Sequence, residues 1–204
     1  MISDTPNHKR PNLTVKVLVG LIILELVGAG VYLYNRPAVL TSPQLEIAPL
    51  EKETASFAIS GPESAIKVGE TFTAQVSLEL TNETAISAID IIILYDPQYL
   101  AVSDSLPQKE GTQVGQDAVF MEYPVNVVEA SEGKIILTAY SEEKQDFAKE
   151  NLLSTISFTA LSPGEATVKI DYTPQATNES NVMHWDSEKD ILETVGNLEV
   201  TIVE

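Results

Sequence analysis

From about residue 55 onward, apolar and polar positions alternate in short runs. Residues 71–80 read TFTAQVSLEL, with Phe72, Ala74, Val76, Leu78 and Leu80 set against Thr71, Thr73, Gln75, Ser77 and Glu79. A period of two is the signature of a half-buried strand. The same alternation places Ile135, Leu137 and Ala139 on one side of KIILTAY, and Ile156, Phe158 and Ala160 on one side of TISFTAL. It also aligns Ala166, Val168 and Ile170 in EATVKID, and Leu198, Val200 and Ile202 at the end of the chain. Turn residues separate these runs, at Val68-Gly69-Glu70, Asp96-Pro97, Glu132-Gly133-Lys134 and Ser162-Pro163-Gly164-Glu165. Residues 147–153 could form one helical turn, and no longer helix is expected beyond residue 55. Many short strands at this spacing predict an all-β sandwich over residues 55–204.

One strand breaks the pattern. If Ile89, Ile91, Ile93 and Tyr95 face the core, then Ala88, Asp90, Ile92 and Leu94 face outward. A strand covered on one side should be polar on the other, yet here both sides are apolar except at Asp90. Three explanations stand: a binding platform, a loop over the outer face, or a bulge that shifts the phase.

The hydropathy of the N-terminal part is of another kind. Residues 17–34 read VLVGLIILELVGAGVYLY, with Glu25 as the single charge. As a helix they would span about 27 Å, close to the ~30 Å hydrocarbon core of a bilayer. Lys9, Arg10 and Lys16 precede the run and Arg36 follows it, while Tyr32 and Tyr34 sit where an interfacial belt would lie. This predicts a single-pass cell-membrane anchor, with residues 1–16 as a cytoplasmic tail and the C-terminal domain extracellular. Two other readings of the run exist. Gly20 to Glu25 resembles a prepilin cleavage site, in which a Glu falls five residues after the cut, although the residues before Gly20 are apolar rather than basic. Val27-Gly28-Ala29-Gly30 is a small-residue stretch of the kind found in cleaved signal peptides. Residues 35–54 have neither period and carry Pro37, Pro43 and Pro49, which predicts a semi-extended linker.

Charge and composition narrow the function. The net charge of the 204 residues is −18; residues 1–36 carry four basic and two acidic side chains, which leaves −20 on the remainder. Such a domain repels phosphates, so a nucleic-acid role is excluded. There is no cysteine, so disulfides and thiolate metal sites are ruled out and packing must supply stability. His8 lies in the tail, leaving His184 alone in the domain, within a His184-Trp185-Asp186 segment expected to be a loop. No nucleophile elbow, glycine-rich phosphate loop or HExxH word occurs. The protein is therefore expected not to be an enzyme, and no cofactor is called for. Residues 178–190 are rich in Asn, Asp and Glu oxygens that could hold a calcium, but lack EF-hand spacing. Trp185, Tyr140, Tyr123 and Tyr172 could stack on sugar rings.

The order of these segments resembles a cohesin domain. The words that carry the resemblance are KVGETFT at 67–73, AISAID at 85–90, LYDP at 94–97 with Leu100, GKI at 133–135, LSTISF at 153–158 and SPG at 162–164, followed by SNV at 180–182, DIL at 190–192 and GNLEV at 196–200. The resemblance implies a jelly-roll β-sandwich of about nine strands, which binds dockerins, small calcium-loaded helical modules, on one sheet face. It makes the strand at 85–95 the main contributor, with Asp90 where the family has an Asp that bonds the dockerin helix. Ala88 stands where well-studied cohesins carry Asn. The implied partner-binding set is Ala88, Asp90, Ile92, Leu94, Ile136, Thr138 and Tyr140. Asp90 is expected on the exposed side of its strand, between Ala88 and Ile92, where it forms hydrogen bonds to a partner. The leading expectation is thus a surface-displayed, non-catalytic scaffolding module with a dockerin-like protein partner. A polysaccharide-binding module and a pilin-like structural subunit are the alternatives.

Overall fold

The computed structural model describes Glu25 and residues 52–174, 176 and 178–204. The chain divides into two units, Met1–Leu50 and Glu51–Glu204. The anchor expected at 17–34 and most of the linker at 35–54 lie outside the described residues. Among the described residues, no helix is long and apolar enough to cross a membrane.

The second unit is built of strands: β1 (Ala55–Ser60), β2 (Ile66–Lys67), β3 (Thr71–Leu80), β4 (Thr84–Tyr95), β5 (Leu100–Val102), β6 (Gly115–Gln116), β7 (Glu122–Glu129), β8 (Lys134–Tyr140), β9 (Asp146–Phe147), β10 (Glu150–Ala160), β11 (Gly164–Ile170), β12 (Asn181–His184), β13 (Leu192–Val195) and β14 (Asn197–Val203). They form two sheets. One runs β13-β1-β3-β10-β5, with β6 also on β10; the other runs β2-β14-β11-β4-β8-β7, with β12 and β9 also paired to β4. Fourteen segments replace the expected nine or so, because several short segments of two to four residues pair onto the long strands. The helical turn expected at 147–153 is absent: Phe147 closes β9 and residues 150–153 open β10, whose Asn151 and Leu153 face the core. Pairing with β3 from Glu150 to Thr159 overrides the local preference.

Most connections cross from one sheet to the other, so the two sheets are laced together by the chain itself. The hairpin joining β7 to β8 is an exception, and it needs Gly133. That residue has φ 64°, and a Cβ there would collide with the carbonyl oxygen of Tyr95. Tyr95 N–H donates to the Gly133 carbonyl at 2.8 Å, so the turn also pins the end of β4. The Lys67–Glu70 turn has Gly69 at φ 83° and is closed by the Glu70 side chain on the Lys67 N–H at 3.0 Å.

The core lies between the sheets. The alternating positions read from β3 (Phe72, Ala74, Val76, Leu78, Leu80) are all buried, as are Ile156, Phe158 and Ala160 of β10 and Ile135, Leu137 and Ala139 of β8. Phe158 holds the centre, with Phe72 and Tyr95 each 5.5 Å away between ring centroids. A fully buried side chain of this size contributes about 1.5–3 kcal/mol relative to exposure.

Candidate partner-binding face

In β4, Ile89, Ile91, Ile93 and Tyr95 are buried, whereas Ala88, Asp90, Ile92 and Leu94 are half-buried on the opposite side. The phase is set by a bulge at Ser87. The β12 register passes from Ala88 opposite Met183 to Ile86 opposite His184, leaving Ser87 over. Its hydroxyl bonds the Met183 carbonyl at 3.1 Å. From Ala88 onward the alternation is strict, so the bulge explanation does not account for the apolar outer positions.

Cross-strand registers assemble the outer face in rows. Val127 of β7, Ile136 of β8 and Ile92 of β4 make an apolar row. Beside it run Val125, Thr138, Asp90 and Asn181 across β7, β8, β4 and β12. On one flank lie Glu129, Lys134, Leu94 and Lys169, and on the other Glu122, Tyr140, Ala88 and Met183. All seven residues expected for the site, Ala88, Asp90, Ile92, Leu94, Ile136, Thr138 and Tyr140, therefore share one sheet face. Val127 and Tyr140 are 43% and 37% exposed, so the face is open to solvent at those points. A shallow depression of about 340 Å³ adjoins Leu94, between Asp96-Pro97 and Lys169.

Asp90 is more enclosed than the sequence suggests. It is half-buried; its Oδ1 accepts a 2.6 Å bond from the Thr138 hydroxyl, and its Oδ2 accepts a 3.1 Å bond from Asn181 Nδ2. Asp90 lies on the outer side of its strand, as expected, but β8 and β12, paired on either side of β4, bring donors to both its oxygens. These bonds fix the carboxylate in position.

Val125 and Val127 were not read from sequence. Pro124 and the bulge between Glu122 and Val125 obscure the period of β7. Their inward neighbours, Asn126 and Val128, are buried. Asn126 bonds both the N–H and the C=O of Val114, at 3.0 and 2.8 Å, so the segment at Val114 is clipped to the β7 strand. The extension of the rows onto β12 had no local signal at all, since it depends on long-range pairing.

The remaining candidates resolve into structural roles. His184 is not in a loop: it ends β12 and is buried. Its Nδ1 accepts the N–H groups of Asp186 and Ser187, each at 3.1 Å, and its Nε2 lies 2.8 Å from the Glu53 carboxylate. With Nδ1 on two backbone N–H groups and Nε2 against the Glu53 carboxylate, the imidazole is a staple. Two of the acidic side chains in the stretch that could hold calcium are committed elsewhere. Asp190 Oδ1 accepts from Val182 and Leu192 N–H, and Asp186 binds Lys144. Among the described residues no group of three or more His, Asp or Glu side chains converges as a metal ion needs. The candidate sugar-stacking aromatics are dispersed: the Tyr123 hydroxyl donates to Leu153 C=O, the Tyr172 hydroxyl donates to Leu192 C=O, and Tyr140 sits on the outer face. Burial raises the Tyr123 phenol to about 12, and raises those of Tyr95 and Tyr172 less.

The described residues thus form a two-sheet sandwich whose outer β7–β8–β4–β12 face is largely apolar around Asp90. The cohesin-domain family model matches residues 56–202, and the chain belongs to the cohesin family, a family of non-catalytic protein-binding modules. Solved structures agree on the fold. A type II cohesin domain from the cellulosome of Acetivibrio cellulolyticus aligns at TM-score 0.57 and 16% identity over 72% of this chain and 95% of that one. The type II cohesin–X–dockerin complex from the same organism gives 0.55 and 17%, over 73% and 99%. A type I cohesin–dockerin complex from Clostridium thermocellum gives 0.52 and 16%, over 74% and 99%. No curated protein sequence matches.

Proposed function

We propose that this chain is a scaffolding module that binds a dockerin-like protein through the outer face of β7, β8, β4 and β12. The observation that carries the reading is the apolar row Val127–Ile136–Ile92 lying open beside a carboxylate, Asp90, held rigid by two neighbours. An interface needs such a core of buried area with a few fixed polar groups for orientation. The complexes formed by similar cohesins support dockerins as the partner class.

The test is calorimetric titration of the full chain with calcium-loaded type I and type II dockerins. Saturable one-to-one binding to one class, lost in Ile136→Asp while the circular dichroism spectrum is unchanged, is the expected result. Failure of every dockerin to bind a folded protein would overturn the reading.

We further infer that residues 17–34 anchor the chain in the cell membrane with residues 1–16 cytoplasmic. The apolar run and the basic residues before it support this. Intact cells treated with protease should lose the C-terminal domain and keep the tail. A C-terminal domain protected in intact cells would reverse the assigned orientation.

A further inference from the structure

We infer that the outer face of the other sheet, centred on Gln75 of β3, is a self-association surface on which a second copy of this chain packs as a weak two-fold dimer. This surface belongs to the sheet opposite the docking face proposed above, so the two readings stand or fall separately.

The first observation is where charge is missing. Residues 52–204 carry 26 acidic side chains against eight lysines and no arginine. Such a domain repels its own copies wherever that charge is displayed. Cross-strand registers lay the outer positions of β1, β3 and β10 in five rows, set by Thr71, Thr73, Gln75, Ser77 and Glu79 of β3. These five are exposed, except for the half-buried Ser77. Glu79 and Glu150, in one end row, are the only charged residues of the rows; the other four rows hold Ser, Thr, Gln, Ala and Leu alone. Hydroxyls and amides each donate and accept, so a face made of them is self-complementary. A two-fold interface requires that property, because the same patch meets itself.

The second observation sets the direction of packing. Glu150 stands directly opposite Glu79. Like charges so placed destabilise a sheet, and among the described residues no ion pair reaches either carboxylate. The row at the far end is the converse. There Thr159 stands opposite Thr71, with their hydroxyl oxygens 3.2 Å apart. The bond between them uses one hydroxyl proton and leaves the other to donate outward. A two-fold axis lying in the interface, across the strands at Gln75, brings Glu79 and Glu150 of each copy over Thr71 and Thr159 of the other. The acidic row then meets donors, whereas an axis along the strands would stack four carboxylates. The face is about 27 Å long and about 19 Å wide over the five strands of the sheet, so the two copies bury roughly 1,000 Å² together. That area belongs to a weak, transient contact. Both β7–β8–β4–β12 faces stay on the outside of such a dimer, which gives it avidity for a partner that carries repeated modules.

The chain has no cysteine, so introduced ones report the contact. The experiment oxidises full-length protein in mild detergent with copper phenanthroline and reads dimers on non-reducing gels. It compares Gln75→Cys with Glu132→Cys, a control at the β7–β8 turn, after circular dichroism has shown each variant to be folded. The expected result is a disulfide-linked dimer of Gln75→Cys that forms roughly tenfold faster than that of Glu132→Cys, and that an added Thr73→Asp slows by about the same factor by placing like charges in the neutral rows. Thr71→Cys mixed with Glu79→Cys should crosslink faster than either variant alone. Equal rates for Gln75→Cys and Glu132→Cys, no effect of Thr73→Asp, or fastest linkage of Glu79→Cys to itself would each overturn the inference. So would protection of Gln75→Cys from maleimide by dextran with no dimer formed, which would give the face to a neutral glycan instead.

Discussion

Asp90 was readable as the polar break in an apolar strand, but its surroundings were not. Removing its carboxylate strands the Thr138 hydroxyl and Asn181 amide, both only half-buried. Asp90→Ala should therefore cost about 1 kcal/mol of stability in urea unfolding. It should weaken binding of the proposed dockerin-like partner by about 1.5–3 kcal/mol in calorimetry, the range for hydrogen bonds to a charged group. A stability loss well above that, with binding intact, would make Asp90 a structural residue alone. Tyr123 offers a second test at the same scale. Its phenol is raised from an ordinary 10 to about 12, chiefly by burial, and a nearby Asp117 carboxylate adds to the shift against a lowering bond from Phe120. The folded state thus holds a proton that the unfolded chain releases. Stability from this group is complete below pH 10 and is lost as pH rises from 10 through 12. Tyr123→Phe should flatten that part of the alkaline stability profile, and the wild-type absorbance titration should show a late-ionising tyrosine.

At the scale of elements, the β7–β8 hairpin and the β4 bulge place the face. Gly133 has a left-handed φ of 64° and no room for a Cβ beside the Tyr95 carbonyl. Gly133→Ala should destabilise the domain by about 1–3 kcal/mol in denaturant unfolding. The same change should loosen the C-terminal end of β4 and the Glu129–Lys134–Leu94 row in hydrogen exchange. In the centre of β4, Ile91 is fully buried between the sheets. Ile91→Ala should cost about 2–5 kcal/mol by removing transfer energy and leaving a cavity. The neighbouring outward Ile92→Ala should cost far less stability and instead weaken binding. That contrast between adjacent residues of one strand is the signature of a sheet with one core face and one docking face.

For the whole domain, connections that cross between the sheets and pairings such as β1 with β13 and β4 with β12 join residues far apart in sequence. Such topology predicts refolding in the millisecond-to-second range, measurable by stopped-flow fluorescence of Trp185. What the sequence determined by itself was the local physics. Period-two alternation named the core residues of β3, β8, β10, β11 and β14, turn chemistry at Gly69, Asp96-Pro97 and Gly133 marked their ends, and the doubly apolar β4 marked the face. What only the tertiary structure decided was everything that depends on which strand lies beside which. Val125 and Val127 joined the face through β8; Asn181 reached Asp90 through β12; Phe147 and Leu153, expected in a helical turn, became strand by pairing with β4 and by membership of β10. His184 became a buried staple because Glu53, far away in sequence, meets its Nε2. The reason is that alternation constrains only which side of a strand faces the core, while neighbours across a sheet are chosen by hydrogen-bond registers between segments separated by tens of residues, about which a local pattern carries no information.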